Sequence, residues 1–162
     1  MPTEAATVRL GAEAALAFGA SALQRIGFSA EEAGIIAAHL VDSELCGYPA
    51  LGLARSITIA EDERTRDPRT PVTVVHETPV SARMDGGNSV GMLAISLAAD
   101  KVIEKAAAHG IAVVGMNNAW TSGRSAHYVE RIARAGLVAG LFAGEHSVLY
   151  VVLRLEDYAL LA

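Results

Sequence analysis

Residues 111–144 constrain the fold more than any other stretch. They read IAVVGM, then the polar run NNAWTSGRSAHY, then a helical pattern YVERIARAG, then LVAGLFAG. Strand, helix and strand with short links predict a parallel strand pair joined by a right-handed crossover. A polar loop between a strand and a helix is where α/β chains place ligands. The class is therefore α/β, and the loop at 117–128 is the first place to look for chemistry.

Upstream, the pattern is helical. Residues 10–26 place Leu16, Ala20, Leu23 and Gly27 on one side, with Arg25 before the Gly27 stop. Ser29 and Glu32 form a capping box at the start of a second helix, which runs to about Cys46 with Ile36, Leu40 and Val41 or Leu45 inward. Gly47, Tyr48 and Pro49 break it. A third helical stretch covers about 51–62 and dissolves into EDERTRDPRTP, whose prolines and mixed charges mark an exposed linker. Period-two runs VTVVHE and VSARMD then predict two short antiparallel strands. Asp85, Gly86, Gly87 and Asn88 have turn chemistry. A long helix over about 89–108 ends at His109 and Gly110. The expected organisation is a helical segment over 1–66 and a partial α/β domain over 67–162, packed as one unit: a mixed sheet with flanking helices. The run VLYVVL near the C-terminus is β-prone and poorly guarded by charge, so it needs a partner strand or another subunit.

Composition narrows the function classes. The chain has 162 residues, 52% hydrophobic but only 5% aromatic, so its core is built from Ala, Val, Leu and Ile. The mean hydropathy of +0.34 suggests apolar surface that ends in a subunit interface, hence a homo-oligomer. No stretch of about 18 residues is both free of charge and apolar throughout, which argues against a membrane span. Net charge is −5 with signs interleaved, and no basic stripe exists to track nucleic acid. One cysteine, Cys46, fits a reducing compartment. Glu13 and helical periodicity argue against a signal peptide in ALAFGASALQ, so the expected location is the cytoplasm.

The motifs are sparse. His39, His76, His109, His127 and His146 form no H-x-H or H-x₃-H pair, so no metal site is expected. GGNSVG lacks the Lys-Ser/Thr of a phosphate loop and the spacing of a dinucleotide turn. The SGRS segment opens a helix, where free N–H groups and the dipole attract anions. Arg124 would add charge there and Gly123 would let a ligand come close. The plainer reading is a Ser cap and a solvated Arg. Asn117, Asn118, Trp120, Thr121 and Ser122 do not titrate near neutral pH. His127 either faces the site or packs beside Tyr128.

Taken together, ARMDGGNSVGMLAISLAADKVIEKAAAHGIAVVGM resembles the central stretch of the malate/L-lactate dehydrogenase family, the group that includes ureidoglycolate dehydrogenase and Δ1-piperideine-2-carboxylate reductase. That family reads V-D-G-x-x-G-x-G, then an Ala-rich helix ending G-I-x-x-V. Ser122 with Gly123, Tyr128 and the ARAG-L-V run continue the resemblance, and SELCGYPALGLAR resembles A-D-x-R-G-x-x-S-H-G-x-x-R. The similarity covers about residues 8–145.

The resemblance implies a non-Rossmann NAD- or NADP-dependent oxidoreductase acting on small 2-hydroxy or 2-imino acids, commonly a homodimer. It implies that Arg55 and Ser122 contact a small carboxylate substrate and that Thr121 and Gly123 contact the cofactor. It names no catalytic residue here, because the two motif histidines fall on Leu51 and Thr121. Losing a positioned acid or base costs about 10²–10⁴-fold in rate, so impaired turnover by this chain alone is expected. The alternatives are a non-catalytic carboxylate-binding or dimerisation module, or a gene fragment whose tail is foreign to the family.

Overall fold

The computed structural model describes residues 8–144 and 147–154; His146 lies outside them. Three helices come first: α1 (Ala12–Arg25), α2 (Ala30–Leu45) and α3 (Arg55–Glu61). The rest alternates: β1 (Thr73–Thr78), β2 (Ser81–Val90), α4 (Gly91–His109), β3 (Ile111–Trp120), α5 (Ser125–Arg134), β4 (Leu137–Ala143) and β5 (Ser147–Arg154). The five strands form one mixed sheet in the order β1-β2-β3-β5-β4. The architecture is α/β with a helical N-terminal part, as the periodicities predict.

Local sequence explains most boundaries. Ser29 Oγ accepts from the Glu32 N–H at 3.2 Å while the Glu32 carboxylate accepts from the Ser29 N–H at 2.8 Å, the predicted capping box. Gly110, at φ +80°, is the left-handed cap that ends α4. In α1 the buried face is Ala15, Gly19 and Leu23: Leu23 is as predicted, but Ala15 and Gly19 replace Leu16 and Ala20, and Leu16 points outward. The cause is close helix packing. A Cβ on Gly19 would sit 3.3 Å from the Ala37 Cβ of α2 and 2.8 Å from Leu53 Cδ2, so the smallest residues of α1 mark the contact. In α2, Ile36, Leu40 and Val41 are buried and Leu45 is exposed.

Three expectations need correction. The first concerns the parallel pair. β3 and β4 run the same way, but β5 lies between them, antiparallel to both. The parallel neighbours are instead β2 and β3, joined through α4. The β-prone run thus finds partner strands on both sides within the chain. The second concerns Asp85, Gly86, Gly87 and Asn88. They make no chain reversal but belong to β2, whose register with β3 shifts between Asp85 and Ser89. Gly87 at φ +60° and Asn88 at φ +59° supply the irregular backbone. A Cβ on Gly86 would lie 2.7 Å from the Asn118 carbonyl, and one on Gly87 would lie 2.0 Å from that of Thr70. The third concerns NNAW: Asn117, Asn118, Ala119 and Trp120 continue β3 and are not loop. The charged linker is exposed but tethered. Arg69 donates to the Gly27 carbonyl at 2.6 Å and stacks on Phe28, and Arg64 stacks on Trp120 at 4.7 Å.

Two apolar cores share α4 as their common wall. One joins α4 and α5 to the inward faces of β2, β3, β4 and β5. The other joins α1, α2 and Ile59 of α3 to Val90, Met92, Leu93 and Trp120. By strand alternation, the opposite sheet face carries Ile111, Val113, Val138, Phe142, Leu149, Val151 and Leu153. Among the described residues that face has no covering layer, and Phe142 is 62% exposed.

The two glycine classes should behave oppositely on substitution. Gly87→Ala should cost about 2–4 kcal/mol, from the clash with Thr70 and the positive φ. Gly34→Ala, mid-helix with open space around its Cβ direction, should stabilise by about 0.5–1 kcal/mol. Urea midpoints of the two variants check both signs.

Candidate functional site

The candidate site forms where β3 ends and α4 begins. Parallel strands β2 and β3 deliver their carboxyl ends there, the usual ligand position in α/β sheets. Gly91, Ile95, Met116, Trp120, Thr121 and Ser122 line a small hollow together with Ala143, Gly144 and Ser147. The first turn of α4 has no side-chain cap, so its free N–H groups favour an anion at this end. The wall is tight: a Cβ on Gly91 would be 2.9 Å from Ser122 Cα. Nothing lining the hollow titrates near neutral pH.

Two positions singled out from the sequence meet here. Arg55, at the start of α3, donates from Nη2 to Thr121 Oγ1 at 3.3 Å, across 66 positions of sequence. Arg55 Nε is buried with no partner. Thr121 has φ +51°, a region a β-branched residue rarely adopts. Leu51, the other position where the motif has histidine, sits in a short 3-10 turn, Pro49–Leu51.

Ser122 and Gly123 are placed differently from Thr121. The Ser122 carbonyl accepts from the Tyr128 hydroxyl, whose oxygen also lies 3.4 Å from the Gly91 carbonyl. The Ser122 side chain is not the helix cap: α5 begins at Ser125 with Arg124 in the cap position and no side-chain cap bond. Gly123, at φ +69°, lies against His39, and a Cβ there would fall 2.2 Å from His39 Nε2. The glycine is needed by the protein's own imidazole.

Arg124 is neither solvated nor free to meet an anion. It is 7% exposed. Nη2 is 2.6 Å from Asp42 Oδ2, and both terminal nitrogens bind the Glu130 carboxylate at 2.8–2.9 Å. Two carboxylates already balance its charge, and the Glu130 bonds foremost raise its pKa. Of the two readings of His127, the structure takes the packing one. The ring packs edge-on to Tyr128, and its Nδ1 lies 2.7 Å from Asp42 Oδ2.

His39 completes this group. It is fully buried, 4.6 Å from the His127 ring centroid and 5.1 Å from that of Tyr128. Its Nε2 accepts the Arg124 backbone N–H at 2.9 Å, and its Nδ1 has no partner. Burial first, then the neighbouring His127 charge, pushes its pKa down to about 3. Burial pushes the Asp42 carboxyl up, but bonds from Arg124 and His127 outweigh it and hold Asp42 below the usual carboxylate range. Sequence reasoning missed this cluster because it searched for metal spacings. The available signal was periodic: His39 and Asp42 stand three apart on one helix, and Arg124, His127 and Glu130 follow the same spacing. No group of three metal-ligating side chains occurs among the described residues, and no helix there is long and apolar enough to cross a membrane. His76 is exposed within β1, not at its end, and His109 is the exposed last residue of α4.

Comparison with known proteins adds four findings. The family model described as malate/L-lactate dehydrogenase matches residues 10–152. Hydroxycarboxylate dehydrogenase B of Escherichia coli is 28% identical over 133 residues, 81% of this chain and 37% of the relative. Ureidoglycolate dehydrogenase (NAD(+)) of Escherichia coli is 31% identical over 118 residues, 72% of this chain and 34% of the relative. The solved structure of Δ1-piperideine-2-carboxylate reductase from Pseudomonas syringae superposes with a TM-score of 0.74 at 21% identity, covering 82% of this chain and 41% of that one. The chain thus spans little more than a third of the curated relatives' length.

The buried imidazole fixes the sign of the acid response. His39 binds a proton near pH 6.5 when unfolded and near pH 3 when folded. Between those values the unfolded state holds more protons, so stability falls as pH drops through that window. Urea unfolding from pH 7 to pH 4 should show this decline, and His39→Gln should flatten it. Equal slopes in the two proteins would contradict the assignment.

Proposed function

The chain belongs to the malate/L-lactate dehydrogenase family, and we propose that it carries the carboxylate-gripping side of a site for small 2-hydroxy or 2-imino acids. One observation carries this reading: Arg55 reaches Thr121 while keeping a buried, unpartnered Nε–H. Arg55 would hold the ligand's carboxylate by charge-assisted bonds. Ser122 and the uncapped start of α4 would face the same ligand, and the backbone at Thr121 and Gly123 would meet a nicotinamide.

Family membership supports a nicotinamide cofactor. A relative is named as the NAD(+) enzyme, and the choice between NAD and NADP is left open by this reading. The hollow alone does not fit a whole dinucleotide: it measures about 50 Å³, room for one or two waters. What this chain's own residues can do is bind and orient an acid. Oxidising a hydroxy acid also requires a base for the hydroxyl proton. Leu51 offers none, and the Thr121 hydroxyl is already an acceptor for Arg55. We therefore propose a binder whose turnover alone is slow. The same geometry serves the non-catalytic alternative, which differs only in the absence of any nicotinamide response.

The test is a titration of the purified protein with a panel of 2-hydroxy, 2-oxo and cyclic imino acids, with and without NADH or NADPH. Arg55→Ala should weaken carboxylate binding about 10–100-fold, as expected for a charged hydrogen bond worth about 1.5–3 kcal/mol. Unchanged affinity in that variant would remove the reading. Thermal stabilisation by the acids alone, with no response to either dinucleotide, would favour the binding module.

Association of two copies belongs to the same proposal. The uncovered face with Ile111, Val138, Phe142 and Leu149 is a patch that a two-fold partner would cover with its own copy. Sedimentation should find a dimer at micromolar concentration that Phe142→Asp dissociates. A monomeric parent protein would refute it.

A further inference from the structure

We propose that His39 is a positioning residue of the candidate site: its neutral imidazole, protonated on Nδ1, latches residues 122–124 against α2. The idea rests on the carboxylate-site reading only for its functional consequence; the latch itself is a property of the free protein.

The argument starts from an unmet need. Helix α5 begins without a side-chain cap, and helix starts leave backbone N–H groups without partners. The Arg124 N–H is answered from another element, by His39 Nε2 on α2 at 2.9 Å. A backbone N–H can only donate, so Nε2 must carry the lone pair. The ring's single proton is then on Nδ1, which is buried and unpaired. An unpaired buried donor is tolerated only where something else requires the ring in that state. Here it is the segment itself: Gly123 fits against the imidazole only because it lacks a Cβ.

A second contact holds the same segment from the other side. The Tyr128 hydroxyl donates to the Ser122 carbonyl. Ser122 and Arg124 are thus pinned on both sides of Gly123. Thr121, which meets Arg55, and Ser122, which lines the hollow, are positioned by that clamp. Every charged or titratable group packed on the ring works with the neutral form or is balanced elsewhere. Arg124 and His127 oppose a positive charge on His39, Asp42 favours one but is already bound to Arg124 and His127, and Glu130 is bound to Arg124. Tyr128 stays a phenol, since burial raises its pKa. A protonated ring would present a second donor to the Arg124 N–H, so the latch is closed only in the neutral state.

Long-range ¹H–¹⁵N NMR on the ligand-free protein tests the latch directly. The His39 Nε2 signal should appear in the unprotonated range and Nδ1 in the protonated range, both unchanged from pH 8 to pH 5. An Nε2–H tautomer, or titration near pH 6.5, overturns the proposal. Two variants add a functional readout. Gln offers a carbonyl acceptor in place of Nε2, and Leu offers none. In His39→Leu the Arg124 amide should exchange with deuterium at least tenfold faster and the dissociation constant for a small 2-oxo acid should rise at least tenfold, with His39→Gln recovering both. If His39→Leu does not fold, the wild-type tautomer decides alone. If amide exchange changes as expected while acid binding does not respond even to Arg55→Ala, the latch stands and the carboxylate reading fails. If Arg55→Ala loses binding but His39→Leu keeps slow exchange and full affinity, the latch fails and the carboxylate reading stands.

Discussion

Helix α4 is the constraint on which the rest of the molecule depends. Its first nine residues are buried almost all round, which only a small-residue sequence such as GMLAISLAA permits between two packing partners. Its Ala-rich side lies on the sheet, and Met92 and Leu93 face α1 and α2. The helix also joins the one hydrogen-bonded parallel pair among the described strands, β2 and β3. That connection fixes where two strand ends and one helix start converge, and the hollow lies at that convergence. Site and core are thus set by the same element.

The helical segment then supplies what the sheet lacks. From the sheet side the hollow is lined by small and apolar groups with no charge. The nearby cation comes from α3 as Arg55, and the imidazole behind the loop comes from α2 as His39. Both contacts end on the 121–124 segment, so the helical part is tied to the sheet through the candidate site itself. A change in how α2 packs is therefore transmitted to Thr121 and Ser122 without touching the hollow.

Much of this was legible from residue patterns. The capping box at Ser29, the Gly110 stop, the antiparallel β1-β2 pair and the α/β class all follow from local chemistry, because each is decided within a few residues. What could not be read was decided by distant neighbours. Asp85, Gly86, Gly87 and Asn88 have turn composition, yet they remain in a strand because the close approach of Asn118 and Thr70 demands glycine there. NNAW is polar, yet β2 pairs with Asn117, Ala119 and Trp120. The segment 147–154 enters between β3 and β4, an insertion that no periodicity announces. Arg55 and Thr121 were singled out by resemblance, and the fold brings them into contact. Arg124 was misjudged because its two neutralising carboxylates lie 82 residues before it and 6 after it.

The buried histidines bear on the chemistry by what they cannot do. A base needs a free lone pair within reach of the substrate proton. The lone pair of His39 is occupied by the Arg124 N–H, and its other nitrogen carries the proton. His127 is tied to Asp42 through Nδ1, and neither ring lines the hollow. Neither therefore replaces an imidazole at position 51 or 121. What His39 provides is geometry: a neutral, rigid backing that holds a strained threonine and a serine carbonyl in place. A site can keep its grip on an acid by such means after losing its proton-transfer groups, because binding needs only a fixed cation and fixed donors, whereas turnover needs a group that changes its protonation state.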